Sequence, residues 1–182
     1  MKPSTLPAVL DVGSHEPSGA QAVIVIQMKK TAPSQPWQAL RLAASLDPTY
    51  GKLVIAVDED VDPNNFDTVL WALATRMQPH LDVQITQGQS SMLDPSAAHP
   101  DLPNEKQWYP DPRGSSAMLI DATRKWSYPP VSLPPEAYML RAREIWEAAG
   151  LPALEPKMPW FGYSLGPWPQ EYVDDANLAA EG

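Results

Sequence analysis

Residues 52–79, KLVIAVDEDVDPNNFDTVLWALATRMQP, constrain the fold of this chain more tightly than any other stretch. An apolar run, Leu53 to Val57, stops at Asp58, Glu59, Asp60 and Asp62 and gives way to an amphipathic pattern. A short apolar run bounded by charge fits a strand buried on both faces. Asp62 reads as an N-cap with Pro63 at the first helical position, where a missing N–H costs nothing. Phe66, Val69, Leu70, Leu73 and Met77 recur at helical spacing and predict one stripe packed back on a sheet. The junction places acids at the carboxyl end of a strand.

The rest of the chain continues the alternation. The β-branched run 22–28 predicts a core strand. A helix follows over 36–46, with Trp37, Leu40, Ala43 and Ala44 facing inward, and further strands are expected at 82–87 and 118–121. A helix over 134–149 has Tyr138, Ala142, Ile145 and Ala149 on one face, Ser132 as candidate cap and Gly150 where a terminal glycine belongs. A last helix is expected near 169–180. This pattern predicts an α/β three-layer sandwich with a mostly parallel central sheet and right-handed crossovers. Residues 1–20 form an extended N-terminal segment with a candidate edge strand at 8–12, residues 21–150 the α/β domain, and residues 151–182 an aromatic, proline-rich tail, a candidate interface. Residues 88–115 lack periodicity and read as a long loop, a length usually functional or disordered. In open α/β sheets ligands gather beyond the carboxyl ends of strands, which directs attention to the segments flanking the 52–57 strand and to this loop.

A length of 182 residues with 43% hydrophobic and 19% charged residues fits one well-cored domain. The net charge of -9, with scattered basic residues, argues against nucleic acid as a partner. No stretch approaches the roughly 18 apolar residues of a membrane span, and the N-terminus lacks the apolar core of a signal peptide. The absence of cysteine excludes disulfides and thiol chemistry and makes the cytoplasm the expected compartment.

Clustered acids invite a hard cation, but in an EF-hand register Pro63 stands at the required glycine and Val69 at the bidentate glutamate. A capped helix whose acids meet Arg76 or Lys52 is the better reading. His15, His80 and His99 are far apart in loop-like contexts and are expected to be solvated, with no metal or triad spacing. Ser90, Ser91, Ser115 and Ser116 have no nucleophile-elbow context, and no phosphate-binding glycine motif is present. The rings of Trp126, Tyr128, Tyr138, Trp146, Trp160, Phe161, Tyr163 and Trp168 crowd the last third, as expected of core cover or an interface.

VDEDVDP at 57–63 and VLWALATR at 69–76 resemble hallmarks of the UbiD family of decarboxylases. The likeness extends to LDVGSHEPSGAQAVIVIQMKK upstream and to MLDPSA, LIDATRKWSYPPVSLP and PWFGYSLGPWPQEY downstream, in the family's order. It covers the family's C-terminal domain and implies that fold. The resemblance further implies reversible decarboxylation of aromatic or unsaturated acids with prenylated FMN, a divalent metal and potassium. The family's catalytic arginine and two glutamates, and the ligands of those ions, belong to regions upstream of anything aligned here. No catalytic or metal residue is therefore assigned, and the chain is expected to be inactive alone. By resemblance, Tyr50 and Lys52 approach the flavin, and Met92 and Leu93, followed by Asp94 and Pro95, form a mobile lid over the substrate. Leu93 as a simple anchor of the long loop is an equal alternative. Relatives carry a lysine where this chain has Ala117 in GSSAMLIDAT.

The leading expectation is a C-terminal subunit or domain of a UbiD-type carboxy-lyase that completes the substrate pocket and mediates assembly. Its implied partners are an N-terminal catalytic subunit, an aromatic acid and further copies in an oligomer. A non-catalytic binding or oligomerisation module is the alternative, and an independent metal-binding protein ranks third.

Overall fold

The computed structural model describes residues 8–47, 49–88, 94, 96–97, 101, 115–128, 136–153 and 170–181. Two compact units divide the chain, at residues 1–125 and 126–182.

The first unit is built on one five-stranded sheet. Strands β1 (Val9–Ser14), β2 (Val23–Met28), β3 (Leu53–Asp58), β4 (Val83–Gln87) and β5 (Ser116–Ala122) lie in the order β1-β2-β3-β5-β4. The central strands β2, β3 and β5 are mutually parallel, in registers that pair Val25 with Ile55 and Ile55 with Ile120. Both edge strands are antiparallel to their neighbours. The sheet is thus mixed, more so than the expected mostly parallel one.

Coverage of both faces explains why the central strands are predominantly apolar rather than alternating, with Gln27 the exception inside β2. Ile26, Met28, Val54, Ala56 and Leu119 form one buried cluster with Ala39, Leu40 and Ala44 of helix α1 (Gln35–Leu46). Val25, Ile55, Val57, Ile120 and Ala122 form another with Val61 and with Val69 and Ala72 of helix α2 (Phe66–Arg76). Burying a side chain such as Leu or Ile contributes about 1.5–3 kcal/mol, so these clusters carry the unit's stability.

Helix α2 starts later than expected. Asn65, not Asp62, is the N-cap, its side chain accepting from the N–H groups of Asp67 and Thr68. Asp62 instead accepts from the N–H of Asn64 at 2.9 Å, a local turn that uses the same acceptor chemistry. Of the expected stripe, Val69, Leu73 and Met77 do pack on the core. Thr68, Val69, Ala72 and Arg76 are buried, whereas Phe66 and Leu70 are exposed. Pro63 is fixed by Gly13 of β1, where an added Cβ would lie 2.2 Å from the Pro63 carbonyl oxygen.

The direction of β4 follows from where α2 ends. Arg76 at its last turn is tied to Asp58 at the end of β3, which brings the chain back to the carboxyl edge of the parallel strands. The short helix α3 (Pro79–Asp82) leads directly into β4, which can only run back antiparallel. Its end therefore reaches the amino edge, where the Gly88 N–H donates to the Ser115 carbonyl at 3.0 Å.

The second unit contains helices α4 (Glu136–Ala148) and α5 (Gln170–Glu181). Gly150 terminates α4 in the left-handed region, φ 67°, as expected. The inner face of α4 differs from expectation: Tyr138, Ala142, Ile145 and Ala149 are exposed, and Met139, Leu140, Arg143 and Trp146 are the partly covered positions. Trp146 Nε1 donates to the Pro152 carbonyl at 2.6 Å, so the segment after the helix folds against that side. Trp126 and Tyr128 pack with ring centroids 5.6 Å apart. Ser132 and the aromatic residues 160–168 lie outside the described residues.

Candidate functional site

Two polar assemblies occupy opposite edges of the sheet. At the carboxyl edge, β3 ends in Asp58 and the acid run meets cations from two other segments, Arg76 of α2 and Arg124 after β5. Arg76 Nη1 donates to Asp58 Oδ2 at 2.9 Å and to Asp60 Oδ1 at 2.8 Å, while Nη2 donates to Asp60 Oδ2 at 2.7 Å. Its guanidinium also lies over the Trp71 ring, 4.7 Å from the centroid. The Arg124 backbone N–H donates to Asp58 Oδ2 at 2.7 Å. Burial alone would raise the Asp60 carboxyl, but the hydrogen bonds and charge of Arg76, with the charge of Arg124, hold it below its usual value. Arg76 is raised despite its burial because Asp60 and Asp58 stabilise its charge.

The same edge continues across β5. Asp121 Oδ1 accepts from the N–H and hydroxyl of Thr123, and Lys125 lies 3.2 Å from both Asp121 Oδ2 and Asp82 Oδ1. Lys30 Nζ donates to Thr123 Oγ1 at 2.7 Å and to the Arg124 carbonyl. The sequence reading foresaw Arg76 as a partner of the acid run; Lys52 is not one. It missed Lys30, Asp82, Asp121, Arg124 and Lys125. For Lys30, Arg124 and Lys125 the signal was positional, charged residues just after strands whose carboxyl ends lie together, whereas Asp121 lies within β5 and Asp82 before the reversed β4. Among the described residues, no group of three or more His, Cys, Asp or Glu side chains could hold a metal ion.

The amino edge carries the residues singled out for the ligand. Tyr50, 41% exposed, precedes Gly51, whose φ of 78° only glycine adopts without strain. Gly51 donates to the Gln21 carbonyl at 2.8 Å, which fixes the turn into β3. Lys52 Nζ donates to Asp94 Oδ2 at 2.8 Å and Ser96 Oγ at 2.6 Å. Burial would raise the Asp94 carboxyl, but hydrogen bonds from Lys52 and Ser96 bring it below its usual value. Met92 and Leu93 lie outside the described residues, yet Asp94 beside them is held at Lys52. The carboxyl-edge rule thus misdirects for these residues: the antiparallel β4 delivers the segment after it to the amino edge. Ala117, which the resemblance sets against a lysine of many relatives, is buried within β5. His15 is partly buried rather than solvated, edge-on to Phe66 at 5.0 Å between ring centroids. His80 is exposed, and His99 lies outside the described residues.

A parallel core flanked by reversed edge strands, joined to the VDED and ATR segments at Asp58 and Arg76, defines a class. Residues 1–122 match the family model of the 3-octaprenyl-4-hydroxybenzoate carboxy-lyase C-terminal domain, and the chain belongs to this UbiD family. Among individual relatives, it is 32% identical over 147 residues to the phenolic acid decarboxylase of Sedimentibacter hydroxybenzoicus, covering 79% of this chain and 28% of that protein. It is 41% identical over 76 residues to the phenolic acid decarboxylase of Bacillus subtilis strain 168, covering 41% of this chain and 13% of that protein. The structure resembles the 3,4-dihydroxybenzoic acid decarboxylase of Klebsiella pneumoniae with a TM-score of 0.54 at 26% identity, over 74% of this chain and 29% of that one. The UbiD-class enzyme HmfF of Pelotomaculum thermopropionicum, solved with prenylated FMN in an evolved dimeric form, shares the fold at a TM-score of 0.53 and 23% identity, over 72% of this chain and 25% of that one. The chain spans well under a third of these relatives' lengths. Among the described residues, no helix is long and apolar enough to cross a membrane.

Proposed function

We propose that this chain is the C-terminal part of a UbiD-type carboxy-lyase acting reversibly on an aromatic or unsaturated acid. In this reading the α1, sheet and α2 layers form the family's three-layer sandwich. Its amino edge walls the substrate pocket, and further copies and an N-terminal catalytic portion complete an oligomer in the cytoplasm. The carrying observation is the Lys52–Asp94 pair, which ties the residue before β3 to the segment holding Met92 and Leu93. Opening and closing of that segment over the pocket would make and break this pair and exclude water from a carboxylate-handling site.

The residues present fit one wall of a prenylated FMN site. Lys52 offers a partly exposed ammonium and Tyr50 a partly exposed ring, suited to an anionic, planar ligand. They are too few to bind such a group alone, so the flavin, its divalent metal and potassium are held chiefly by the catalytic portion. When bound, the flavin supplies the electron sink for loss of carbon dioxide. This chain's own part is to orient the acid, with Lys52 steering the carboxylate and Met92 and Leu93 covering the ring.

Combining the purified chain with the N-terminal portion of an aromatic-acid decarboxylase and prenylated FMN tests the proposal. A complex on gel filtration and release of labelled carbon dioxide are expected, with Lys52→Ala lowering turnover about tenfold or more. Absence of a complex, or full turnover by the chain unaided, overturns it.

A further inference from the structure

Between the turn that follows β2 and the end of β5 lies a pocket of about 300 Å³, lined by Lys30, Thr31, Ala32, Pro33, Asp121 and Lys125. Its two lysines are not equivalent. Lys125 is neutralised by Asp121 and Asp82, each at 3.2 Å. Lys30 spends two of its three N–H bonds on uncharged oxygens, Thr123 Oγ1 and the Arg124 carbonyl. Among the described residues, no carboxylate lies within ion-pair distance of it. Asp121 cannot turn to serve it, because Oδ1 is held by Thr123 and Oδ2 by Lys125.

We propose that this pocket binds a small organic monocarboxylate, which supplies the counter-charge that Lys30 lacks. The ligand's carboxylate takes the third N–H of Lys30, and its carbon skeleton lies against Ala32 and Pro33. A monoanion is favoured over a dianion because, with Lys125 matched by Asp121 and Asp82, these lining residues leave one cation, Lys30, without a carboxylate. Burial, joined by the charges of Lys125 and Arg124, lowers the affinity of Lys30 for its proton and outweighs the opposing pull of Asp58 and Asp121. An anion in contact reverses that effect, so binding stabilises the protonated amine and weakens as pH rises through its lowered value.

Titration of the full chain with butyrate, followed by amide chemical shifts in two-dimensional NMR, reads the site directly. Shifts are expected at Lys30, Thr31 and Ala32, with weaker binding by inorganic phosphate and by neutral butyramide. Lys30→Gln is expected to weaken butyrate about tenfold, the scale of one charged hydrogen bond, while Lys30→Arg retains it. Ala32→Phe narrows the pocket with the lysine in place and should weaken butyrate as well, which keeps the test decisive if Lys30→Gln does not fold. Equal binding of butyramide, tighter binding of phosphate, unchanged affinity in Lys30→Gln, or shifts centred on Lys52 would each refute the site. No flavin or second polypeptide enters this experiment, so its failure leaves the carboxy-lyase reading untouched, and the reverse holds.

Discussion

At the carboxyl edge of the sheet Arg76 is 2% exposed and grips two carboxylates that are almost as fully buried, whereas at the amino edge Lys52 keeps 39% of its side chain in water beside a single carboxylate. The denser cluster is the less available one. The clamp of Arg76 on Asp58 and Asp60 is matched within itself, and its geometry fixes where α2 ends and which way β4 runs. The sparser pair lies where two chain segments meet; if it parts, Lys52 is solvated and Asp94, 9% exposed, keeps its hydrogen bonds from Ser96. The most deeply buried ion pairs of this unit therefore mark architecture, and the partly exposed one lies where two segments meet.

Breaking the carboxyl-edge clamp should have the largest effect. Arg76→Leu leaves Asp58 and Asp60 buried without their shared partner and is expected to cost about 3–5 kcal/mol in denaturant unfolding. A cost below about 1 kcal/mol would show that water reaches these acids and that the two edges are alike. Acid titration sharpens the same point. The Asp60 carboxyl is held below its ordinary value in the folded protein, so its contribution is fully present above the ordinary value and is lost as pH falls through the lowered one. Arg76→Leu should remove much of that loss, which a comparison of melting temperatures from neutral to acid pH would reveal.

Next in size is Asn65→Ala, which deletes the cap of α2 and should cost about 1 kcal/mol, whereas Asp62→Ala should cost less. The reverse ranking would restore Asp62 as the cap. Smallest in stability is Lys52→Ala, expected to change unfolding free energy by about 0–1 kcal/mol because the pair is partly solvated. Hydrogen exchange at Ser96 should nonetheless quicken, since its hydroxyl loses the Lys52 contact. Unchanged exchange there would mean that Lys52 does not hold this segment.

The parallel core was legible because Leu53 to Val57 is apolar without interruption and Val23 to Met28 is broken only by Gln27, a pattern that fits burial on both faces. Helix α1 was legible from Leu40 and Ala44. The start of α2 was not, because Asp62 and Asn65 carry equivalent acceptors, and the choice between them rests on the contact of Pro63 with Gly13, far away in sequence. The inner face of α4 was misread for a similar reason, since Trp146 and Tyr138 are both large and only the Trp146–Pro152 bond distinguishes their sides. The amino-edge location of Tyr50 and Lys52 follows directly from their place before β3, but the arrival of Asp94 beside them depends on the reversal of β4, and no local pattern records that dependence.

The hydrogen bond from Gly88 to Ser115 brings the two ends of the intervening segment to one point. The entropy cost of closing a loop between two such points rises only by about 0.6 kcal/mol for each doubling of its length, so insertions between them are expected to leave the pairing of β4 with β5 intact. The number of residues between Gly88 and Ser115 is therefore a quantity this scaffold can change at small cost.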